Sequence, residues 1–273
     1  MEEVVLARMP EGPPPEPAVQ RLRLRYAKRG RLRFSSHRDF QRAFERALRR
    51  AAVPMAYSAG FNPHPRVSYA NAAPTGAASE AEYIEIALKR RCDPEALRVA
   101  LDEALPTGLD VLEAVEAVPG ALADRLQASW WRIELPGTPL GVAEEAVRVF
   151  LAAERVEVQR MMKAGPRTFD ARGAVLSLRV DGSPDGQVGE QVGENVTDRV
   201  AQGDLGSCAI LHLVVRHTTP AVRPDDVLAG LRSQAYLAPL SPPRMTRLAQ
   251  GPLDEENGRV ADPLAADRNA VGA

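Results

Sequence analysis

From Arg21 the chain alternates with period two, placing Leu22, Leu24 and Tyr26 on one side and Arg21, Arg23 and Arg25 on the other. That is the pattern of a half-buried β-strand, here with a cationic outer face. After a turn at Lys28-Arg29-Gly30, Leu32 and Phe34 continue the alternation with Arg31 and Arg33, which predicts a second short strand. The period then lengthens: Phe40, Ala43, Phe44, Ala47, Leu48 and Ala51 recur at three and four, the apolar stripe of an amphipathic helix. Ser36 and Asp39 form a capping box at its start, Glu45 is placed to pair with Arg49, and Pro54 ends it. Residues 57–74, rich in Gly, Asn and Pro, read as a loop with a short strand at 66–69. Residues 82–89 alternate with Ile84, Ile86 and Leu88 inward. Asp93-Pro94 then opens a helix through Leu97, Leu101 and Ala104, Thr107-Gly108 stops it, and residues 111–118 read as a strand. The order β-α-β-β-α-β is the ferredoxin-like arrangement.

The second half repeats the rhythm. Strands are expected at 130–135, 156–161, 174–180, 209–215 and 244–249, with helices at 142–153 and 224–231. This makes a second unit of the same kind with one additional strand. The fold class expected is therefore α+β, with tandem ferredoxin-like (βαββαβ) domains at 19–127 and 128–250. A Pro-rich leader over 1–18 and a polar tail over 251–273 are expected to be disordered. Residues 183–207, acidic and Gly-rich with the near-repeat Gln187-Val188-Gly189-Glu190 and Gln191-Val192-Gly193-Glu194, read as a flexible insertion.

Charge changes the picture. The whole chain balances 35 Lys and Arg against 36 Asp and Glu, but residues 21–66 hold 13 against 2, a net of +11, leaving 22 against 34, or −12, for the remainder. A near-neutral total hides a basic face on an otherwise acidic protein. Only two cysteines, Cys92 and Cys208, are present, which fits a reducing cytoplasm and supports neither a disulfide framework nor a cysteine-built zinc or iron–sulfur site. No apolar run has membrane-spanning length and no signal segment opens the chain, so a cytoplasmic protein without a membrane partner is expected. Phosphate-binding, dinucleotide and nucleophile-elbow motifs are missing, so nucleotide hydrolysis, dinucleotide redox and acyl transfer have no support.

Three features carry chemistry. His37, at a helix start among arginines, is suited to capping, to contacting a phosphate or to general acid–base work. The loop Gly60-Phe61-Asn62-Pro63-His64-Pro65-Arg66 is stiffened by prolines and holds Asn62, His64 and Arg66 in fixed relation, either as a plain crossover or as a binding surface. His37 and His64 are the catalytic candidates. Without a carboxylate partner they make a weak ligand pair, and no metal or cofactor is expected. The arginines Arg23, Arg25, Arg33, Arg38, Arg42, Arg46 and Arg49 present multi-donor cations suited to phosphate oxygens, or else a solvated surface paired with the acidic remainder. Tyr26, Phe61 or Tyr69 would stack bases beside them. Trp130-Trp131 reads as half core and half contact between domains rather than as a stacking platform.

The run from Tyr26 to His37, the helix end Arg46-Ala47-Leu48-Arg49-Arg50, the 60–66 loop and Ser79-Glu80-Ala81-Glu82-Tyr83 resemble the radical-SAM-associated domain of unknown function. That resemblance spans residues 19–247. It implies a domain that occurs alone or fused behind a cobalamin-binding radical SAM module. This chain lacks the cysteine triplet of such a module, so the resemblance implies a separate radical SAM enzyme as partner. The function expected is an accessory RNA-binding or substrate-presenting protein in tRNA or rRNA modification, without catalysis of its own. The tandem layout also looks like the CRISPR RNA-processing endonucleases of the repeat-associated type, whose Gly-rich loop is not evident here. A metal-independent RNA endonuclease and a protein-interaction adaptor without RNA contact are the alternatives.

Overall fold

The computed structural model of the chain describes residues 16–59, 61–162, 165–181, 207–239 and 241–270. They form a mixed α/β fold with six α-helices. The fold divides into one unit comprising the described residues up to Thr75, Ala81–Ala123 and those from Leu264, and another comprising Gly76–Glu80 and Asp124–Pro263. The leader up to residue 15 and residues 182–206 of the insertion lie outside the described residues.

In the first unit β1 (Gln20–Lys28), α1 (His37–Arg50), β2 (Val67–Ala70), β3 (Ala78–Leu88), α2 (Pro94–Ala104) and β4 (Leu109–Glu116) follow the order read from the sequence. The strands lie β4-β1-β3-β2 across the sheet, with β1 antiparallel to β4 and β2 antiparallel to β3. Leu22, Leu24 and Tyr26 of β1 and Ile84, Ile86 and Leu88 of β3 meet Phe40, Phe44 and Leu48 of α1 and Leu97 and Leu101 of α2 in one buried cluster. Each such side chain contributes about 1.5–3 kcal/mol by leaving water, so the cluster fixes which face of α1 turns inward. Ser36 accepts from the backbone N–H of Asp39, and the Asp39 carboxylate accepts from the Ser36 N–H and hydroxyl, so the expected capping box is present. Asp93 caps α2 in the same manner, accepting from Ala96.

Three expectations are corrected here. Residues 30–34 form a 3-10 turn rather than a second strand: Gly30 turns the chain at φ +53°, and Leu32 and Ser35 donate back three residues to Arg29 and Leu32. The cationic face of β1 is not an open one, because Arg23 is 1% exposed, Arg25 is half-buried and only Arg21 faces solvent. The tail after Pro252 is ordered as far as residue 270. Its β11 (Leu253–Asp254) and β12 (Arg259–Val260) pair in the second unit, and the short helix α6 (Ala265–Ala270) belongs to the first, where Asp267 is fully buried. Polar composition concealed this because Pro263 and Leu264 are the buried apolar positions among its described residues, too few to make a periodic stripe, and Asp267 is buried by pairing with Arg23.

After the one-turn helix α3 (Leu122–Arg125), the second unit runs β5 (Ala128–Pro136), α4 (Leu140–Ala152), a hairpin of β6 (Glu157–Met162) and β7 (Gly165–Asp170), then β8 (Val175–Val180), β9 (Cys208–Arg216), α5 (Pro224–Ala235) and β10 (Arg244–Gly251). Its strands lie β10-β5-β9-β8, antiparallel throughout. Ala78 and Ser79 at the start of β3 add in parallel beside Thr246 and Arg247, which makes the sheet mixed. Strand β7 was not expected, because Gly165-Pro166 reads as a breaker. In a separate two-stranded hairpin, however, a proline at a strand start leaves no interior ladder bond unmade.

Candidate nucleic-acid interface

The exposed positions of α1 are set by the buried ones. With Phe40, Phe44, Ala47 and Leu48 turned inward, Arg38, Arg42, Arg46 and Arg49 are exposed on the opposite side. At 3.6 residues per turn these four fall within an arc of about 80° and extend about 16 Å along the axis. Among the described residues none of the four makes an ion pair or a side-chain hydrogen bond, and the expected Glu45–Arg49 pair is not formed. Four guanidinium groups, each with five donors, therefore stand in one row facing water. Just before the helix, the Arg33 guanidinium lies 4.7 Å from the ring of Phe34, which is 59% exposed. Arg25 lies half-buried in β1, its Nε enclosed without a hydrogen-bond partner.

Residues 61–66 are tied to the chain before them. Ser58 and His64 exchange bonds, Ser58 N–H donating to the His64 carbonyl at 2.9 Å and His64 N–H to the Ser58 hydroxyl at 3.1 Å. Arg66 N–H donates to the Ala56 carbonyl at 2.8 Å, and its own carbonyl accepts from Ala87 at 3.0 Å. Phe61, Asn62 and His64 are exposed. His64 and Arg66 line an open groove of about 280 Å³ with Arg21, Ser58, Ser68 and Glu85. Glu85 was missed at the sequence level. Its place between Ile84 and Ile86 puts it on the sheet face away from α1, beside Arg21 at 3.6 Å.

His37 and His64 are not brought together. His37 sits edge-on to Tyr69 of β2 at 5.0 Å between ring centres, and its Nε2 lies 3.1 Å from the Gln41 amide, whereas His64 faces the groove. Two of the proposed stacking rings are engaged in the fold. Tyr26 is buried and lies flat against Phe40 at 4.3 Å, and Tyr69 is half-buried, its hydroxyl pushed up to about 12 by burial and the nearby Glu45 charge. Phe61, 67% exposed, is the one of the three that remains open.

Arg23 leaves the candidate interface altogether. Its Nε meets Glu85 at 2.9 Å, one terminal nitrogen meets Asp267 of α6 at 2.7 Å, and the other donates to the Gly120 carbonyl. Asp267 also accepts from Val118 N–H at 2.9 Å. No periodicity in the sequence points to this pairing across 244 positions.

Among the described residues no group of three or more His, Cys, Asp or Glu side chains is placed to hold a metal ion, and no helix is long and apolar enough to cross a membrane. No curated protein matches the chain. A family model does match, over residues 21–224, a span that takes in the α1 arginines, the 60–66 loop and the groove and leaves out α6. The chain belongs to that family, DUF2344, described as an uncharacterized protein conserved in bacteria.

Proposed function

We propose that the chain is a cytoplasmic RNA-binding accessory protein that presents an RNA substrate to a separate radical SAM enzyme, in modification of tRNA or rRNA, and that its two units are tandem ferredoxin-like domains. The observation that carries the RNA reading is the row Arg38, Arg42, Arg46 and Arg49, exposed and unpaired on α1. Phosphate contacts from such a row supply affinity without reading sequence. Arg33 and the loop with Asn62, His64 and Arg66 add polar groups for orientation. The radical SAM partner rests on the resemblance of the Tyr26–His37, 60–66 and 79–83 segments alone. The strand order 4-1-3-2 in each unit, counting each unit's own strands of the β-α-β-β-α-β series, supports the ferredoxin-like reading.

Binding of total tRNA against salt concentration tests this. Each single-strand phosphate neutralised contributes about −0.7 to the slope of log affinity against log salt, so four arginines predict a slope near −3, and Arg42→Glu with Arg46→Glu a slope near half of that or shallower. No binding at low salt sinks the proposal. Copurification of a radical SAM protein that survives nuclease treatment would point to the adaptor instead. The endonuclease reading has less support, because its two histidines lack a shared site.

A further inference from the structure

The sheet of the second unit is covered by α4 and α5 on one face, and among the described residues no helix covers the other. Trp131, Ile133 and Leu135 of β5 and Leu211 and Leu213 of β9 are buried on the same side as Phe150 of α4 and Leu231 of α5. The alternate positions of the two central strands, Trp130 and Arg132 on β5 and His212 and Val214 on β9, are partly exposed, the Arg132 side chain at 35% and that of His212 at 14%. In register, Trp130 stands opposite Val214 and Arg132 opposite His212, so the two rings are diagonal neighbours, their centres 5.9 Å apart and tilted by 36°. Arg179 of β8 stands beside His212 on the other flank. Of the carboxylates beside this face, Glu134 pairs with Arg132 at 2.8 Å and lies 3.7 Å from Arg244, and Asp181 lies 3.7 Å from His212. Burial, Arg179 and Arg132 hold the His212 pKa below its ordinary value against the opposing pull of Asp181.

We infer that this face is a stacking platform for unpaired nucleobases of an RNA strand, Trp130 and His212 each offering a ring to one base while Arg132 and Arg179 face its phosphates. A four-stranded sheet with aromatic rings on its central strands is a surface on which two or three bases can stack, and stacking of this kind tolerates any base. Arg132, Arg179 and Arg244 against Glu134 and Asp181 leave the face one positive charge, the sign a nucleic-acid strand needs. The inference rests on the RNA-binding reading but on a different surface from the α1 row, and it moves Trp130 from the structural role expected of it to a binding one.

The test uses the full chain, a ten-nucleotide oligoadenylate, a duplex RNA of the same length and a DNA oligomer of the same sequence. The single strands are expected to quench tryptophan fluorescence, RNA and DNA alike, and the duplex to leave it unchanged. Trp130→Ala and His212→Ala are each expected to weaken oligoadenylate binding roughly ten-fold or more, without altering the salt slope, because a stacking ring releases no counterions. Trp130→Phe and His212→Phe are expected to restore binding, which separates a stacking role from a folding one. Wild-type affinity in both alanine variants, with the slope still reduced by Arg42→Glu and Arg46→Glu, overturns the platform and leaves the helix row standing. Loss of binding in the alanine variants with no effect of the arginine reversals leaves the platform and removes the helix row. No binding of any oligomer at low salt overturns both.

Discussion

A guanidinium that is 1% exposed must be neutralised where it lies, and Arg23 meets two carboxylates within 3 Å, of which Asp267 is itself fully buried. Breaking such a pair leaves a buried charge uncompensated, so Asp267→Ala is expected to cost about 3–5 kcal/mol, read as a lower urea midpoint. An unchanged midpoint would show that Glu85 suffices alone. Alternation of residues identified Arg23 as opposite to Leu22 and Leu24, but period two says only which face a residue takes, not what covers that face. His217 makes a second residue-scale prediction. Its Nδ1–H donates to the Leu126 carbonyl at 2.7 Å and its Nε2 accepts from Ser129 at 2.6 Å, while burial and Arg247 hold its pKa below the ordinary value. The unfolded chain therefore binds the proton more readily below about pH 6.5. Stability from this group is present above that pH and is lost as pH falls through the lower folded value. The urea midpoint should decline on acidification from pH 7 to 5, and less steeply in His217→Gln. The lowered pKa of His212 pushes the same way.

Elements with strong local signals were legible: α1 and α2 with their caps, β3 from the Ile84-Ile86-Leu88 alternation, β5 and β9 from theirs. Ser36→Ala removes the acceptor for Asp39 N–H and is expected to cost about 1 kcal/mol, seen as reduced thermal stability. An unaltered melting temperature would mean that the core packing of α1 alone fixes its start. Less legible were elements defined by close approach rather than by pattern. Gly251 ends β10 where a Cβ would stand 2.0 Å from the Ala261 carbonyl oxygen, so the chain following β10 is built around a missing side chain. Gly251→Ala should prevent that approach and destabilise the second unit by several kcal/mol, detectable as accelerated amide exchange over residues 244–263. The 3-10 turn at 30–34 escaped notice for a related reason: its alternation continues that of β1, and Gly30 breaks it by backbone angle alone.

For the whole molecule, the +11 block is real as sequence but not one surface as structure. Its cations divide among the α1 row, the groove beside Glu85 and the interior, where Arg23 is consumed by the fold. Periodicity gave β1, α1, β3, α2, β5, α4, β9 and α5 in their order, but not β7 or the elements of the tail. The return of the chain to its first unit did not follow from it, since a six-residue helix with one buried aspartate has no apolar stripe to reveal it. Termination after Pro263 is therefore expected to destabilise the first unit at least as much as Asp267→Ala, with increased proteolysis there while the second unit stays resistant.

That return also sets a timetable for biosynthesis. Arg23 leaves the ribosome 244 residues ahead of its carboxylate partner on α6, which at about 5–20 residues per second is a wait of about 12 to 50 s. Through that interval β1 can pair with its neighbours but cannot seal its back face. Over that interval Glu85, made 62 residues after Arg23, is its carboxylate partner, and Asp267 is still to come.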